Sequence, residues 1–539
     1  MKQLVDQKAL CVLWCLVSVG LFVALLTLLD SNDRSIAWRT VSLGLLTSLI
    51  AIPIGVTLAW VANGRGFIAA VTRTFCIVGV LLPVFVQVSA WDAAFGKLGL
   101  LTNMMGDVLK PLVARWPAAV WIHSMIAAPQ VAVLFLVALR SGSRRWEDAL
   151  RMETSAAGAN FRILLWRFLP VAVAAMLWTM ISCAREIGVT DIYQIGTLSE
   201  QVYLGYSLGQ LNAIGTAWTA EQLAAAQNLG LGITLIVVAW LAASAMFAFV
   251  SMTQTVEQSE SQVPAERLQN SKALNIVGSL LLLVLIAVPL ANLIGRVGFA
   301  VTRVDGQPIA TWNAASAITA ISGVFTNFRD EFIWSLLIAA AAATIVSVTA
   351  MLLAWYCRRS MFGKIFLGLT FGILAATPGP SIGLMIGKLF SASGLSLMVY
   401  LYDRTIAAPV IANVLFLLPV AIPIFWFIAS QISKDQQQHA TLEGVSDWSQ
   451  LVHFMVLGQW RTNLGAWFLM AAFSFGELSA TQMVLPPGMD TVPRLALGML
   501  HAGVNESTAA LTLVTLLPVI LFCFFAQICF APERRLRVE

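Results

Sequence analysis

Residues 40–60 read TVSLGLLTSLIAIPIGVTLAW, a run of 21 residues without a single charged side chain. A helix needs about 20 predominantly apolar residues to cross the hydrocarbon core of a bilayer. The rest of the chain has the same character, because hydrophobic residues make up 59% of its 539 residues and charged residues only 11%. Soluble domains are about 45–50% apolar and about 25% charged. The composition therefore excludes a soluble enzyme, a disordered protein and a nucleic-acid-binding protein, and predicts an all-α integral membrane protein.

Twelve stretches of this kind are long and apolar enough to be membrane spans. The first follows Lys2 and Lys8 and lacks a small-residue cleavage site, so we interpret it as an uncleaved span rather than a signal peptide. Twelve spans place both termini on one side of the membrane. The approximate bounds are 9–29, 40–62, 68–90, 117–139, 169–187, 225–251, 273–295, 332–356, 364–388, 406–429, 463–486 and 508–530.

Basic residues indicate which side of the membrane is cytoplasmic. Residues 140–167 contain six arginines, and further basic residues stand at 358–364 and 534–537. Under the positive-inside rule these segments face the cytoplasm, together with both termini. The six arginines either fix this orientation alone or have a second role, and the sequence leaves both possibilities open.

The motifs of most enzymes are absent from the sequence. No GxxxxGK[ST] phosphate loop, HExxH, GxSxG or dinucleotide fingerprint occurs. The seven cysteines lie in or beside apolar runs and form no CxxC pair or Cys/His metal spacing. We therefore expect no cofactor or metal in this chain and no catalysis of covalent chemistry.

A polar run at residues 254–272 divides the chain into two parts, 1–253 and 273–539, with six predicted spans each. Three short motifs recur in the same order in both parts, at offsets of 295, 280 and 291 residues. This regularity indicates two homologous halves in parallel orientation. Transporters are often built from such repeats, with the substrate path at their interface. The pairs are LAW at 58–60 and 353–355, IAAPQVA at 126–132 with IAAPVIA at 406–412, and EIGVT at 186–190 with ELSAT at 477–481.

The segment RSGSRRWEDALRMETSAAGANFRILLWRFLP (140–170) is a long amphipathic loop between the fourth and fifth predicted spans. It resembles the EAA loop of ABC importer permeases, in which a short helix pair around a glycine docks into a separate ATPase subunit. A glycine there permits close approach of the partner and can adopt positive φ. The match is partial, because Met152 takes the usual glutamate position. The residues that this resemblance assigns to ATPase coupling are Glu153, Ala156, Ala157, Gly158 and Ala159.

The second half has QHATLEGVSDWSQLVHFMVLGQW (438–460) at the equivalent place, between the tenth and eleventh predicted spans. Gln438 stands where glutamate is usual, and Leu457-Gly458 replaces the Leu-Pro that closes the first loop. A degenerate loop of this kind would dock more weakly. Alternatively, both loops are ordinary amphipathic connectors. The resemblance assigns Ala440, Glu443 and Gly444 to ATPase coupling.

Further stretches extend the resemblance over nearly the whole chain, namely 40–60, 185–208, 375–383 and 473–503. Residues 40–60 and 375–383 resemble the opening core span and the proline-rich third span of such permeases. Residues 473–503, with 185–208 as their counterpart in the first half, resemble the fifth span and outer loop of permeases for ferric iron, thiamine, molybdate and related solutes, and the length is typical of fused iron(III) and thiamine permeases. The resemblance implies a type I ABC importer permease fold in the bacterial inner membrane and import of ferric iron or a related small solute such as thiamine. It also implies two copies of an ATPase subunit that uses the ATP, a periplasmic solute-binding protein and contact with membrane lipid as partners.

Two glutamates, Glu186 and Glu477, stand at equivalent positions near the outer ends of the fifth and eleventh predicted spans. A carboxylate at membrane depth is costly and usually faces a bundle interior or a wet cavity. We expect both to line the path or a gate, with Thr190 and Thr481 one turn away on the same helical face. Alternatively, Glu186 pairs with Arg185 and both glutamates lie only at the interface. Carboxylates on the path would favour a cationic or metal-chelate solute.

Two other classes of function compete with the permease. A twelve-span secondary transporter driven by an ion gradient explains the spans and the repeat, but not the paired loops. A membrane-bound enzyme or scaffold lacks a catalytic cluster to support it. Gly379, between two prolines, predicts a broken ninth span that is either a packing kink or a substrate contact.

Overall fold

The computed structural model describes residues 31–96, 99–105, 115–141, 152–155, 158, 162, 168–207, 271–304, 307–392 and 394–531. The predicted spans 9–29 and 225–251 and most of the polar linker lie outside these residues. We call residues 31–207 the N-terminal region and residues 271–531 the C-terminal region. The N-terminal helices are α1 (Ser31–Asn63), α2 (Phe67–Leu81), α3 (Val84–Phe95), α4 (Leu100–Met105), α5 (Arg115–Ser141), α6 (Leu169–Arg185), α7 (Gly188–Ile192) and α8 (Leu198–Ser207).

The C-terminal region begins with α9 (Lys272–Val297), which contains a π-helical turn at Leu283–Ala287. Together with a π-helix at Leu451–Leu457 and a 3₁₀ turn at Thr481–Met483, a two-stranded sheet and eleven further α-helices of the described residues follow. They are β1 (Phe299–Val304), β2 (Gln307–Trp312), α10 (Ala314–Asn327), α11 (Arg329–Cys357), α12 (Met361–Ala376), α13 (Gly379–Ala392), α14 (Ser396–Arg404), α15 (Ala407–Ser430), α16 (Lys434–Leu442), α17 (Asp447–Gln450), α18 (Trp460–Phe475), α19 (Val492–His501) and α20 (Glu506–Phe530).

The described helices have the character of membrane spans. Seven segments are long and apolar enough to cross a membrane, or eight if the bent pair α12 and α13 counts as one. Large apolar side chains such as Leu49, Leu283 and Phe524 are exposed on their outer faces, as lipid-facing positions require. The predicted all-α, multi-pass membrane protein is confirmed, whereas the count of twelve spans stays a prediction.

Two predicted spans are wrong as continuous helices, and the break predicted in the ninth span is confirmed. The span predicted at 68–90 is divided into α2 and α3 at Pro83, and that at 364–388 into α12 and α13, which meet at 101°. A proline lacks the N–H that a helix interior needs, and its ring clashes with the preceding turn. The span predicted at 463–486 ends early, because α18 stops at Phe475. All three interruptions lie beside the cavity described below or pack against its lining residues.

One apolar core joins the two regions. Helix α1 packs along α5 and α6, and α11 packs along α15 and α18. The largest buried cluster contains Trp355 and Phe425 from the C-terminal region together with Ile36, Met180 and Leu198 from the N-terminal region. The regions are therefore held together by side-chain burial, which is non-directional and permits sliding between packed helices.

Helix α9 belongs to the C-terminal region by sequence but packs against α1, α2 and α3. Ser271 caps its N-terminus by accepting a hydrogen bond from the N–H of Leu274 at 3.2 Å. Gly278 permits close approach, because a Cβ there would lie 2.8 Å from Cγ1 of Val61. The C-terminal region thus begins on the surface of the N-terminal one.

One short two-stranded sheet is present among the described helices. Strands β1 and β2 pair antiparallel, with Phe299 opposite Trp312 and Val304 opposite Gln307. The pair stands between α9 and α10, and Asn313 caps α10 by accepting from the N–H of Ala315 at 2.9 Å. Six-residue strands are too short for hydropathy to separate them from the end of a span.

Candidate functional site

A cavity of 170 Å³ lies between the two regions. Its N-terminal wall is formed by the break between α2 and α3 and by α5 and α6, and its C-terminal wall by α15, α18 and the loop after α18. Both glutamates predicted to line a path border this cavity, Glu186 on the N-terminal side and Glu477 on the C-terminal side. The polar side chains of the cavity wall include His123, Gln130, Ser182, Arg185, Glu186 and Glu477.

Glu186 ends the helix of its span and begins the next one. Helix α6 stops at Arg185, and Glu186 has extended backbone dihedral angles. One carboxylate oxygen accepts from the N–H of Gly188, and the other accepts from the N–H of Val189 at 3.1 Å. The side chain therefore satisfies donors at the start of α7 that have no partner within the helix.

Glu477 has the same role in the C-terminal region. Its side chain is 6% exposed. Its Oε1 accepts from the N–H of Ala480 at 2.7 Å, and its Oε2 accepts from the N–H of Thr481 at 3.0 Å and from the Thr481 hydroxyl. It therefore organises the 3₁₀ turn Thr481–Met483, which follows α18.

The two threonines are near the glutamates but do not share a helical face with them. The expectation of one continuous face is wrong, because α6 and α18 end before Glu186 and Glu477. Thr190 donates to the carbonyl of Ile187 at 3.1 Å. Thr481 contacts Glu477 and also accepts from Nδ2 of Asn413 at 3.3 Å. Both threonines are buried beside the loops rather than in the cavity wall.

Arg185 crosses from one region to the other. Instead of pairing with Glu186, its Nη2 donates to the carbonyl of Phe416 at 2.7 Å, and its guanidinium lies 4.0 Å from the centre of the Phe416 ring. Its charge also interacts with that of Glu477. From the sequence alone, Arg185 is indicated only as a local partner of Glu186. The signal in the sequence that could have identified Arg185 as a functional residue is its position as a single arginine at the end of an apolar span.

His123 is a second residue that sequence reasoning did not select. It lies in α5, is 4% exposed, and places Nε2 4.0 Å from Oε2 of Glu186. That distance is too long for a hydrogen bond. Among the described residues, no group of three or more His, Cys, Asp or Glu side chains is placed to hold a metal ion.

The proline-flanked Gly379 packs against the loop that contains Glu477. A Cβ on Gly379 would clash with Cβ of Ser479 and lie 2.9 Å from its carbonyl carbon. Gly379 is therefore a packing contact that holds the N-terminus of α13 on this loop. It is absent from the cavity wall, which favours the packing interpretation over a substrate contact.

The second predicted coupling loop is a helix pair around a glycine. Helices α16 and α17 flank Gly444, whose φ of 79° is the left-handed conformation expected from the sequence. Ala440 is buried, and Glu443 is exposed. Two apolar side chains on this surface, Leu442 and Trp448, are 83% and 61% exposed.

Side-chain contacts hold this helix pair in place. Nε2 of Gln450 donates to the Thr441 hydroxyl at 3.1 Å and to the carbonyl of Val445 at 3.0 Å. Asp447 forms an ion pair with Arg359 at 2.6 Å, which ties α17 to the turn after α11. The helix pair is therefore in contact with the turn at the end of α11.

The first predicted coupling loop is described at few positions. Glu153 is exposed, and the N–H of Gly158 donates to the Ser155 hydroxyl at 3.3 Å. The other predicted coupling residues, Ala156, Ala157 and Ala159, lie outside the described residues. The role of this loop stays a prediction.

The sequence of this chain is similar to the sequences of transport proteins. No family model matches the chain. PhnV of Salmonella typhimurium, provisionally named a 2-aminoethylphosphonate transport system permease protein, is 26% identical over 253 residues, which are 45% of this chain and 88% of PhnV. YvgM of Bacillus subtilis, provisionally named a molybdenum transport system permease protein, is 25% identical over 212 residues, 38% of this chain and 93% of YvgM. These names confirm the predicted resemblance to ABC importer permeases and to a transport subunit rather than an enzyme.

Proposed function

We propose that this chain is the transmembrane subunit of an ATP-driven ABC importer, built from two homologous halves at 1–253 and 273–539 with a polar linker between them. The observation that carries the proposal is the pair of glutamate loops, at equivalent positions in the repeat, that meet in the wall of one cavity. A repeat interface is where a transporter places its substrate path.

Further observations support two halves. Each relative is matched over most of its own length, yet over less than half of this chain, as expected if either half resembles a single permease. The pair α2 and α3 is interrupted at Pro83, and the pair α12 and α13 is interrupted at Pro378. The glutamate loops are followed by α8 and α19, of ten residues each.

The mechanism is alternating access around the cavity. Two copies of a separate ATPase subunit bind ATP and close, and the loops at 140–167 and 431–461 transmit that motion to the spans. A periplasmic solute-binding protein delivers the solute at the outer side. Because Asp447 is tied to Arg359, displacement of the second loop would act directly on the end of α11.

The solute is small, but the comparisons do not favour the ferric iron or thiamine expected from the sequence. PhnV and YvgM are named for 2-aminoethylphosphonate and molybdenum transport, and neither name supports iron or thiamine. The expectation of iron or thiamine depends on the chain length, which is typical of fused iron(III) and thiamine permeases. Chain length gives no information about the residues that contact the solute. The chemistry of the cavity is a better guide.

Orientation belongs to the same proposal. With both termini in the cytoplasm of a bacterial inner-membrane protein, a reporter fused after Ser143 should behave as cytoplasmic and one fused after Gly196 as periplasmic. The opposite pattern would overturn the orientation and with it the placement of both coupling loops.

Affinity purification of the tagged chain from its own membranes tests the function. An ATPase subunit should co-purify, and uptake should require ATP and persist after a protonophore collapses the ion gradient. The substitution Arg494→Gln, on the exposed side of α19, is the matched control and should leave both results unchanged. Uptake abolished by the protonophore, with no ATPase recovered, would identify the competing secondary transporter.

A further inference from the structure

The polar groups of the cavity differ in whether their hydrogen bonds are complete. Both oxygens of Glu186 and both oxygens of Glu477 accept from backbone N–H groups of the following turn. By contrast, Nε of Arg185 and Nε2 of His123 are buried and have no hydrogen-bond partner among the described residues. The carboxylates are thus engaged by the protein itself, while two nitrogen atoms are left to bind something else.

The guanidinium of Arg185 is held in one orientation. The bond to the Phe416 carbonyl and the Phe416 ring fix two sides of the group. Only 5% of the residue is exposed. A buried donor without an acceptor is costly, and a native structure that retains one usually has a ligand or a function for it.

These nitrogen groups come from the N-terminal region alone. At the offset of 291 residues that relates the glutamate motifs, Gly476 takes the place of Arg185 and Phe473 that of Ser182. The C-terminal wall presents Phe416, Leu417 and Val420 instead. The arginine and histidine nitrogen atoms of the cavity therefore lie on its N-terminal wall, across from these apolar side chains.

We propose that Arg185 and His123 form a contact site for a small oxyanion, of the tetrahedral oxoanion or phosphonate class, inside this cavity. The proposal rests on the proposed function, because it takes the cavity as part of the transport path. A guanidinium offers planar N–H donors that match two oxygens of such a group. His123 donates from Nε2 when that nitrogen carries the proton.

Size and charge agree with this assignment. A water molecule occupies about 30 Å³ of liquid, so the 170 Å³ cavity has room for a small ion of a few heavy atoms. The backbone N–H groups around each carboxylate offset its negative charge at the helix start. The cavity nitrogen atoms without a hydrogen-bond partner among the described residues, Nε of Arg185 and Nε2 of His123, therefore favour an anion, which is the opposite of the preference for a cation drawn from the sequence.

Ligand binding to the purified full-length chain in lipid nanodiscs tests the site. The probes are molybdate and 2-aminoethylphosphonate, to separate oxoanion from phosphonate recognition, with thiamine as the cationic probe. At least one oxyanion should bind and raise the melting temperature, and thiamine should not. Arg185→Gln should weaken that binding at least tenfold, with Arg185→Lys intermediate and Arg494→Gln equal to the parent.

A second variant protects the test against misfolding of the arginine variants. His123→Phe removes the second donor and should weaken binding at least threefold, whereas His123→Gln keeps an amide donor and should restore part of it. The site is overturned if neither oxyanion binds the parent, or if binding survives both Arg185→Gln and His123→Phe. It is also overturned if only thiamine binds.

ATPase co-purification, measured on the same preparations, separates the two proposals. Arg185→Gln should retain the ATPase, because the coupling loops are intact, while losing oxyanion binding. A parent chain that binds oxyanion through Arg185 but recovers no ATPase would support the site and overturn only the importer assignment.

Discussion

The two glutamate loops solve one structural problem in two ways. In the N-terminal region Glu186 accepts from the N–H groups two and three residues ahead and opens a five-residue α-helix. In the C-terminal region Glu477 accepts from those three and four residues ahead, adds the Thr481 hydroxyl, and opens a 3₁₀ turn. The glutamate carboxylate therefore caps the following turn in both regions, although that turn is α-helical in one region and 3₁₀ in the other.

A second difference concerns the contact between the helix that follows the break in each broken span, α3 or α13, and the glutamate loop that packs against it. The glycine of this contact lies on a different partner in each region. In the N-terminal region Val84 faces Gly188, and in the C-terminal region Gly379 faces Ser479. These residues are paired by the offsets of 295 and 291 that relate the sequence motifs. Each contact therefore contains one glycine, but on opposite partners, so close packing depends on the pair rather than on one position.

The largest expected effect concerns the two coupling loops. Gly444→Arg should abolish uptake and ATPase association while leaving membrane insertion intact, because it adds bulk and charge at an exposed turn. Gly158→Arg should abolish uptake at least as completely, since the first loop matches the family pattern better. Uptake and co-purification at matched membrane abundance measure both.

Backbone strain needs its own control at Gly444. A non-glycine residue at its φ of 79° costs about 1–2 kcal/mol. Gly444→Ala imposes that cost without bulk and should keep most of the uptake. Parent-like uptake in both arginine variants would reduce the two loops to simple connectors.

The glycine exchange is the next largest effect. Gly379→Val should destabilise the chain by about 1–3 kcal/mol through overpacking against Ser479. Adding Ser479→Gly, which recreates the Val84 and Gly188 arrangement of the N-terminal region, should recover part of that loss. Thermal unfolding of the two single variants and the double variant measures the coupling, and a double variant that is no better than Gly379→Val would refute the pairwise interpretation.

How much of this architecture follows from sequence depends on the element. Continuous spans such as α11 and α15 were predictable, because uninterrupted apolar length is sufficient to define them. The break at Pro83 was missed, since membrane helices tolerate proline when neighbours satisfy the freed groups. The strand pair had a local signal in Asp305-Gly306, a dipeptide typical of tight hairpin turns.

The candidate site was only half predictable for a similar reason. The repeat placed Glu186 and Glu477 at equivalent positions, and both line the cavity. Their hydrogen bonds were not predictable, because they depend on where α6 and α18 end. The partner of Arg185 lies 231 residues away in sequence, and only the packing of two regions brings them together.

A smaller effect distinguishes the two glutamates. Glutamine keeps one acceptor but points an N–H₂ group at backbone donors, which leaves a buried N–H without a partner. We expect a loss of about 1–3 kcal/mol, greater for Glu477→Gln than for Glu186→Gln because Glu477 accepts one more hydrogen bond. Melting temperature and uptake of each variant and of the double variant measure this, and equal losses or parent-like behaviour would show that the extra bond is unimportant.

The smallest expected effect distinguishes the threonines. Thr481→Val removes a hydroxyl that joins Glu477 to Asn413 and should cost about 1 kcal/mol. Thr190→Val removes a bond to the carbonyl of Ile187, which still accepts from the N–H of Asp191, and should cost about 0.5 kcal/mol. Thermal unfolding compares them, and a larger loss for Thr190→Val would contradict the difference between the loops.

Alternating access requires the two regions to move against each other, and the contact between Asp191 and His501 offers the most direct test. Asp191 lies in α7, His501 ends α19, and Oδ2 of the one lies 3.2 Å from Nε2 of the other. Uptake should be measured for Asp191→Cys/His501→Cys after a short, reducible bis-thiosulfonate cross-linker, with both single variants treated identically as controls. We expect cross-linking to abolish uptake in the double variant alone and reduction to restore it. Uptake at the parent rate in the fully cross-linked chain would contradict alternating access between the two regions.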